Sequence, residues 1–216
     1  RQTRLSQNLD AIYESVPNAD GDFIDPSQHI FGKDHFTKLS QEFRIATPSE
    51  NRIRLVAGAF YQRQTHLIEQ DYKITDLDPA LSVNGHPGTI WLTKQNRIDR
   101  DYALFGEVAF DINDQLTLTG GLRYQRDHVE RRGTARIPQT PPTVLVSAVD
   151  FDHTFDALLP KVSLAYEAMP GWTVGAMVSK GYNPGGVSLN VTANSWQGFK
   201  EETLWNYELF TRASLL

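Results

Sequence analysis

Residues 102–127 read YALFGEVAFDINDQLTLTGGLRYQRD, two alternating runs separated by a short polar break at residues 113–114. In both runs, 102–110 and 116–124, every second residue is apolar, aromatic or glycine. Alternate residues of a β-strand point to opposite faces. A short break that contains Asn-Asp is typical of a hairpin turn. The pattern therefore predicts a hairpin of two long strands with one apolar face and one polar face.

The length of these strands bears on their surroundings. Soluble strands cluster at about 5–6 residues, whereas each run here keeps its pattern for about ten, the length that a tilted strand needs to cross a bilayer. Phe110 lies beside the turn, and Tyr102 and Tyr124 lie near the far ends. These aromatic positions would be about 20 Å apart along the membrane normal, close to the apolar band of an outer-membrane barrel. An ordinary sandwich hairpin with one wet face remains the alternative at this point.

Composition narrows the class of protein. The chain has 216 residues, 40% of them hydrophobic, a net charge of −5 and no cysteine. No apolar run approaches the roughly 18 residues of a transmembrane helix, but a barrel needs apolar residues only at alternate positions. The net negative charge gives a nucleic-acid partner no electrostatic support. Because the chain starts without a signal peptide and stops inside an apolar pattern, we expect it to be a fragment of a longer protein.

Breaks between the predicted strands alternate in length along the chain. Those near residues 49, 113 and 170 are brief, whereas four others read as long loops, at residues 15–33, 74–96, 128–153 and 183–200. Long loops are uncommon in compact soluble domains, but short turns on one side and long loops on the other are typical of outer-membrane barrels. The pattern predicts an all-β fold, an antiparallel transmembrane β-barrel segment of about eight strands.

Five stretches carry a resemblance to a known family. They are QEFRIATP with LVAGAFYQ (41–48 and 55–62), the hairpin 102–125, residues 159–167, SKGYNPGG (179–186) and ETLWNYELFTRASLL (202–216). In this order they resemble the barrel region of TonB-dependent outer-membrane receptors, the ferric-siderophore type in particular. Asn183 stands where the family usually has Arg, and Phe210 where it usually has Gly. Neither departure disturbs the alternation.

This resemblance implies a barrel of about 22 strands with a plugged lumen. Residues 1–216 would supply about eight of those strands, and the plug domain, the TonB box and the final strands would lie outside the chain. The implied function is energy-coupled uptake of a scarce nutrient across the cell outer membrane of a Gram-negative bacterium. An iron–siderophore complex is the first candidate cargo, and cobalamin, haem and a carbohydrate are the alternatives. The implied partners are outer-membrane lipid, the protein's own plug domain, TonB and the ferric siderophore. The resemblance implies a transporter and no enzyme, with no cofactor besides the transported iron chelate.

Two other classes stay open on the residues alone. One is a soluble β-sandwich or lectin-like carbohydrate-binding module. The other is a soluble polysaccharide-acting enzyme, which needs paired carboxylates such as Glu107 and Glu208. Aromatic placement separates these classes from a barrel, because a sandwich buries its apolar faces and has no reason to carry two aromatic rows about 20 Å apart.

Candidate site residues follow from strand parity and from position. Charged residues on the polar parity are predicted to face the lumen, where they could hold a plug by ion pairs: Glu42, Arg44, Glu107, Arg123, Lys161, Glu167, Glu208 and Arg212. Binding residues concentrate on loops, and aromatic rings stack on aromatic or sugar ligands. The predicted ligand contacts are therefore Trp91, Tyr182, Trp196 and Phe199.

Signals for metal binding or catalysis are weak. Residues 18–22, NADGD, resemble a calcium loop, but alignment on Gly21 places Val16 and Ser27 where acids are required. The spacing of His29 with His35, and of the acids and histidine within 150–153, matches no compact transition-metal site. Because hydrolase, metalloprotease and phosphate-loop motifs are also absent from the sequence, we assign no metal ligand and no catalytic residue.

Overall fold

The computed structural model describes residues 2–7, 16–24, 28–83, 85–138, 144–190 and 195–214. Within these ranges the strands are β1 (Gln2–Gln7), β2 (Val16–Pro17), β3 (Phe23–Ile24), β4 (Gln28–Ala46), β5 (Ile53–Ile74), β6 (Thr89–Asn113), β7 (Leu116–Pro138), β8 (Val144–Met169), β9 (Trp172–Asn183), β10 (Gly186–Asn190), β11 (Ser195–Phe199) and β12 (Glu202–Ala213). One 3-10 turn, Pro79–Leu81, follows β5. Among the described residues no helix is long and apolar enough to span a membrane.

Eight strands form one open antiparallel sheet, in the order β1-β4-β5-β6-β7-β8-β9-β12. The remaining strands form two small pairs, β2 with β3 and β10 with β11. Successive long strands are neighbours, as in an up-and-down barrel wall. The predicted all-β antiparallel architecture is confirmed.

Short turns join the strands on one side of the sheet, as predicted. Between β6 and β7, the Asn113 side chain accepts a hydrogen bond from the Gln115 amide at 2.9 Å. Gly171, in the turn between β8 and β9, has a φ of 79°, a conformation that glycine adopts without a steric penalty. The hydrogen bond at Asn113 and the backbone conformation of Gly171 set the register of the two hairpins.

On the other side of the sheet, the prediction of long loops was wrong in extent. Strand β6 already begins at Thr89, so the last part of segment 74–96 is strand. Strand β7 continues to Pro138 and β8 begins at Val144, so most of segment 128–153 is strand. Segment 183–200 contains the β10–β11 hairpin, and segment 15–33 contains β2, β3 and the start of β4. The buried face of the extensions mixes apolar residues such as Val129 with polar ones such as Thr93 and Gln95, so the sequence lacks the regular alternation that identifies a half-buried strand.

Large apolar side chains lie exposed on one face of the sheet, which we call the apolar face. Leu118 is 40% exposed, Val162 53% and Leu104 63%. A β-sandwich would bury these side chains against a second sheet, but the described strands place no sheet over them. The sandwich alternative is therefore not favoured, and the opposite face is called the polar face below.

Two rows of aromatic side chains border this apolar face. The row near the short turns contains Phe110, Tyr166 and Trp172, and the row at the far end contains Tyr61, Tyr102 and Tyr124. Tyr61 and Tyr102 are cross-strand partners with ring centroids 5.1 Å apart. Such rows match the interfacial girdles of outer-membrane barrels.

A small hydrophobic cluster lies at the far end of β5. Ile74 is 2% exposed and Leu77 5%, and Ile24, Leu81 and Ile90 pack around them. This cluster attaches the β2–β3 pair and the segment after β5 to the sheet. The burial is modest, because the main apolar surface of the chain points outward.

A glycine on the polar face gives a test of this packing. A Cβ at Gly58 would lie 2.5 Å from the Phe105 ring and 2.6 Å from the Phe43 carbonyl oxygen, whereas a Cβ at Gly120 meets nothing within 4 Å. We expect Gly58→Ala to lower the free energy of unfolding by about 1–3 kcal/mol, the usual cost of overpacking. Urea unfolding of the intact protein in lipid vesicles measures the loss, with Gly120→Ala as the control. Equal effects of the two substitutions would contradict the close packing at Gly58.

Candidate ligand-binding face

Strand register places the eight predicted lumen-facing residues on one face. Cross-strand partners share a face of the sheet. Glu107 is opposite Gly121, which is opposite Lys161. The same relation links Arg44 to Arg123 through Gly58 and Phe105. Parity and register assign the rest to the same polar face: Glu42, Glu167, Glu208 and Arg212.

Several of these side chains contact one another. Lys161 Nζ lies 2.5 Å from Glu107 Oε2, and the Arg44 guanidinium contacts Glu42 Oε1 at 2.5 Å. Two of the three arginines in the group approach the Phe105 ring, with Arg44 at 5.7 Å and Arg123 at 5.8 Å from its centroid. Charges paired in this way remain accessible to water, so each pair contributes little to stability.

The other members of the group have different surroundings. Glu167 accepts a hydrogen bond from the Gly171 amide at 3.0 Å, so it supports a short turn. Glu208 and Arg212 lie exposed on β12, at the edge of the sheet. Between them, Phe210 lies across Gly175, where an added Cβ would be 2.3 Å from its ring. An aromatic ring over a glycine on the neighbouring strand explains why Phe is accommodated at position 210.

A cavity of about 460 Å³ lies between the polar face and the β10–β11 hairpin. Its size falls within the roughly 300–1,000 Å³ of small-molecule sites. The lining comes from β5, β6 and β7 and from the hairpin segment: Gln62, Gln64, Gln95, Arg97, Asp99, Asp101, Asp127, Val129, Arg131, Asn183, Pro184, Gly185, Gly186, Val187, Trp196 and Phe199.

Glycines allow the hairpin to approach the sheet. Strand β9 stops pairing with β8 after Ser179 and stays paired with β12 as far as Asn183. A Cβ at Gly185 would lie 2.5 Å from the Phe155 ring, and one at Gly186 would lie 2.8 Å from the Phe199 ring. The Gly-Gly pair in SKGYNPGG is thus needed for close approach rather than for a phosphate-binding loop.

Two arginines line the cavity with different partners. Arg131 forms an ion pair with Asp99 at 2.7 Å. Arg97, its cross-strand partner, donates two hydrogen bonds to Gln95 Oε1 at 3.1 and 2.9 Å. Within the described ranges, no carboxylate lies at ion-pair distance from Arg97. Burial and the neighbouring Arg131 lower the pKa of Arg97, so an anion in the cavity would gain a half-buried cation as its partner.

Two carboxyl groups lie opposite each other on the polar face, between these arginines and the far aromatic row. Asp101 and Asp127 are cross-strand partners, one residue or more beyond the far aromatic row. Gln62 donates to Asp101 at 2.6 Å, and Gln125 donates to Asp127 at 2.5 Å. Burial, and then the adjacent Asp127, raise the pKa of Asp101 to about 6. The pair therefore holds less negative charge near neutral pH than two independent carboxylates would.

The four predicted aromatic contacts do not share one environment. Trp196 and Phe199 line the cavity, and Trp196 Nε1 is buried without a hydrogen-bond partner in the described part of the chain. The buried Tyr182 hydroxyl lies near Asp127. Trp91 packs against Tyr72, with ring centroids 6.3 Å apart, and is not among the lining residues.

Sequence reasoning missed the polar residues of the cavity. Arg97, Asp101 and Asp127 lie on strand extensions that carry polar side chains on both faces. One available signal was the parity of the flanking hairpin. When the alternation of this hairpin is continued from Tyr102 toward lower residue numbers, it places residues 95, 97, 99 and 101 on the polar face, as the register confirms.

Comparison with known proteins agrees with this geometry. A family model described as "TonB dependent receptor-like, beta-barrel" matches residues 2–215. The crystal structure of the ferric yersiniabactin uptake receptor FyuA from Yersinia pestis is similar over 89% of this chain, with a TM-score of 0.73 and 19% identity. At that identity the similarity concerns the fold, and the chain spans 28% of that receptor. The chain belongs to the β-barrel family of TonB-dependent receptors.

Proposed function

We propose that this chain is part of an outer-membrane receptor that imports a scarce nutrient. The cargo that we propose first is an iron–siderophore complex. Residues 1–216 would form part of the barrel wall in a Gram-negative outer membrane. A plug domain would occupy the lumen, and TonB would supply energy through the protein's N-terminal region. This proposal makes the protein a transporter rather than an enzyme, and the iron chelate is its cargo.

One observation carries the choice of ligand. Two donors at the cavity are incompletely matched among the described residues. The half-buried Arg97 guanidinium donates to the neutral Gln95 side chain, and the buried Trp196 Nε1–H has no acceptor. Donors whose acceptor is missing or only a neutral amide favour a ligand rich in oxygen acceptors. Ferric chelates present carboxylate, phenolate or hydroxamate oxygens, and the aromatic rings of Trp196 and Phe199 suit an organic ligand frame.

The polar face also suits a plug. Exposed ion pairs such as Lys161 with Glu107 can exchange partners with water or with another surface at little cost. A plug held by such contacts can move without breaking a hydrophobic core. The lumen-facing role of all eight charged residues is part of this proposal.

Deletion of the gene that encodes the intact receptor tests the proposal. In iron-limited medium we expect the deletion strain to lose growth on one class of ferric chelate and to lose uptake of that radiolabelled chelate. A proton uncoupler should abolish uptake in the parent strain, because import needs energy. Recovery of the intact protein in the soluble periplasm, or unchanged uptake of every iron, cobalamin, haem and carbohydrate substrate tested, would contradict the proposal.

A further inference from the structure

Three potential metal ligands converge on the hairpin extension of β7 and β8. His128 and Glu130 lie on β7, and Asp152 is the cross-strand partner of Glu130 on β8. All three share the parity of the apolar face but lie beyond its far aromatic row. His128 is four residues past Tyr124, roughly 13 Å along the strand. The group is therefore outside the apolar band and separate from the cavity on the polar face.

Distances within the group fit a compact metal site. The three ligand atoms lie within 4.8 Å of one another. His128 Nε2 is 3.2 Å from Glu130 Oε1 and 3.4 Å from Asp152 Oδ1. Zinc bonds of about 2.1 Å at tetrahedral angles place neighbouring ligand atoms about 3.4 Å apart. An ion between these atoms would need little movement of the three ligand side chains themselves.

The imidazole is also held in the orientation that a metal ligand needs. Its Nδ1 lies 3.0 Å from Thr154 Oγ1, and Thr154 is the cross-strand partner of His128. Histidine ligands usually fix their second ring nitrogen by a hydrogen bond of this kind. If Nδ1–H donates to the threonine, the Nε2 lone pair faces two carboxylates, which is unfavourable until a cation lies between them.

We propose that His128, Glu130 and Asp152 bind one divalent transition-metal ion of the zinc class, with water as the fourth ligand. Imidazole with carboxylate oxygens is a donor set that zinc accepts, and three protein ligands leave one position open. The ion links β7 to β8 where the hairpin projects from the membrane. It stabilises the extension and takes no part in transport of the ligand on the other face.

Arg100 competes with the metal ion for this site. It is the cross-strand partner of His128 and contacts Glu130 Oε1, the same oxygen that faces the imidazole. Metal entry requires the guanidinium to move to the second carboxylate oxygen or away. Removing this positive charge should therefore tighten metal binding.

Zinc titration of the intact, tag-free receptor in detergent tests the site. After removal of metal with a chelator, we expect one equivalent of zinc chloride to bind, and cobalt chloride to give the visible spectrum of a tetrahedral complex. His128→Ala and Asp152→Asn should each weaken zinc binding by at least about 100-fold, and Thr154→Val by about 10–100-fold. Arg100→Gln should strengthen it.

A second histidine provides the matched control. His66 Nε2 lies 3.1 Å from Asp34 Oδ1, but no third metal ligand joins this pair among the described residues. His66→Ala should leave the zinc stoichiometry, one ion per receptor, and the zinc affinity unchanged. Heat-modifiable migration on gels shows that each variant is folded. Absence of zinc binding by the folded wild type, or unchanged binding after combined loss of His128 and Asp152, would overturn the proposal and leave a simple ion-pair network.

Discussion

Arginine in place of Val162 should lower the free energy of unfolding in a bilayer by about 2–4 kcal/mol, the cost of a charged side chain on the lipid face near the midplane. Val162 is 53% exposed on the apolar face, and its register partners are Gly120 and Val178. It lies midway between the two aromatic rows, four residues from Tyr166. Urea unfolding of the intact receptor in lipid vesicles, followed by tryptophan fluorescence, measures the change.

Ser163→Arg is the matched control, because the next residue of the same strand points to the polar face. Its register partners are Thr119 and Met177, and the face around it already carries charged side chains. We expect this substitution to change the free energy of unfolding by less than about 1 kcal/mol, as for lumen positions. If the two arginine substitutions lower the free energy of unfolding by the same amount, hydrocarbon does not cover the apolar face, and the membrane-spanning interpretation is wrong.

Arg97→Gln should weaken binding of the transported ferric chelate by about 2–5 kcal/mol, at least about 30-fold in Kd, if the guanidinium pairs with a buried anionic group of the ligand. Arg97 lines the cavity, and its side-chain hydrogen bonds in the described part of the chain go to the neutral Gln95 side chain. Quenching of Trp196 fluorescence on titration reports binding, because its indole lines the same cavity. The probe is the chelate that supports iron-limited growth in the deletion experiment.

Arg63→Gln is the control for loss of one positive charge at a similar height. Arg63 is exposed on the opposite face of β5 and is the cross-strand partner of Arg100. We expect its Kd to match that of the wild type. If the chelate binds the Arg97→Gln variant as tightly as the wild type, Arg97 is not part of the binding site. That result would not contradict energy-coupled uptake by the receptor.

The portion of each strand within the apolar band was predictable from sequence. Leu118, Val162 and their neighbours alternate with polar residues because one face meets hydrocarbon and the other meets water. That contrast forces a period of two, and the aromatic residues at its ends locate the interface. The short turns were equally predictable, since Asn113 and Gly171 favour tight turns through local hydrogen bonding and backbone conformation.

The strand extensions were not predictable in the same way. In residues 125–138 and 89–101 the buried positions include polar side chains such as Thr93 and Gln95 beside apolar ones such as Val129, so the sequence shows no regular apolar–polar alternation. Their strand structure comes from pairing with neighbours already aligned within the apolar band. The register continues from there, because each added pair of residues extends an existing ladder.

Sequence by itself determined that the chain forms antiparallel strands with an apolar and a polar face, since side-chain alternation follows directly from strand geometry. Tertiary structure alone decided which distant residues meet. Arg97 and Trp196 come together because the β10–β11 hairpin folds over the sheet, and His128 reaches Asp152 through the pairing of β7 with β8. Both assemblies join residues that are far apart in the chain, where neither spacing nor composition reports distance in space.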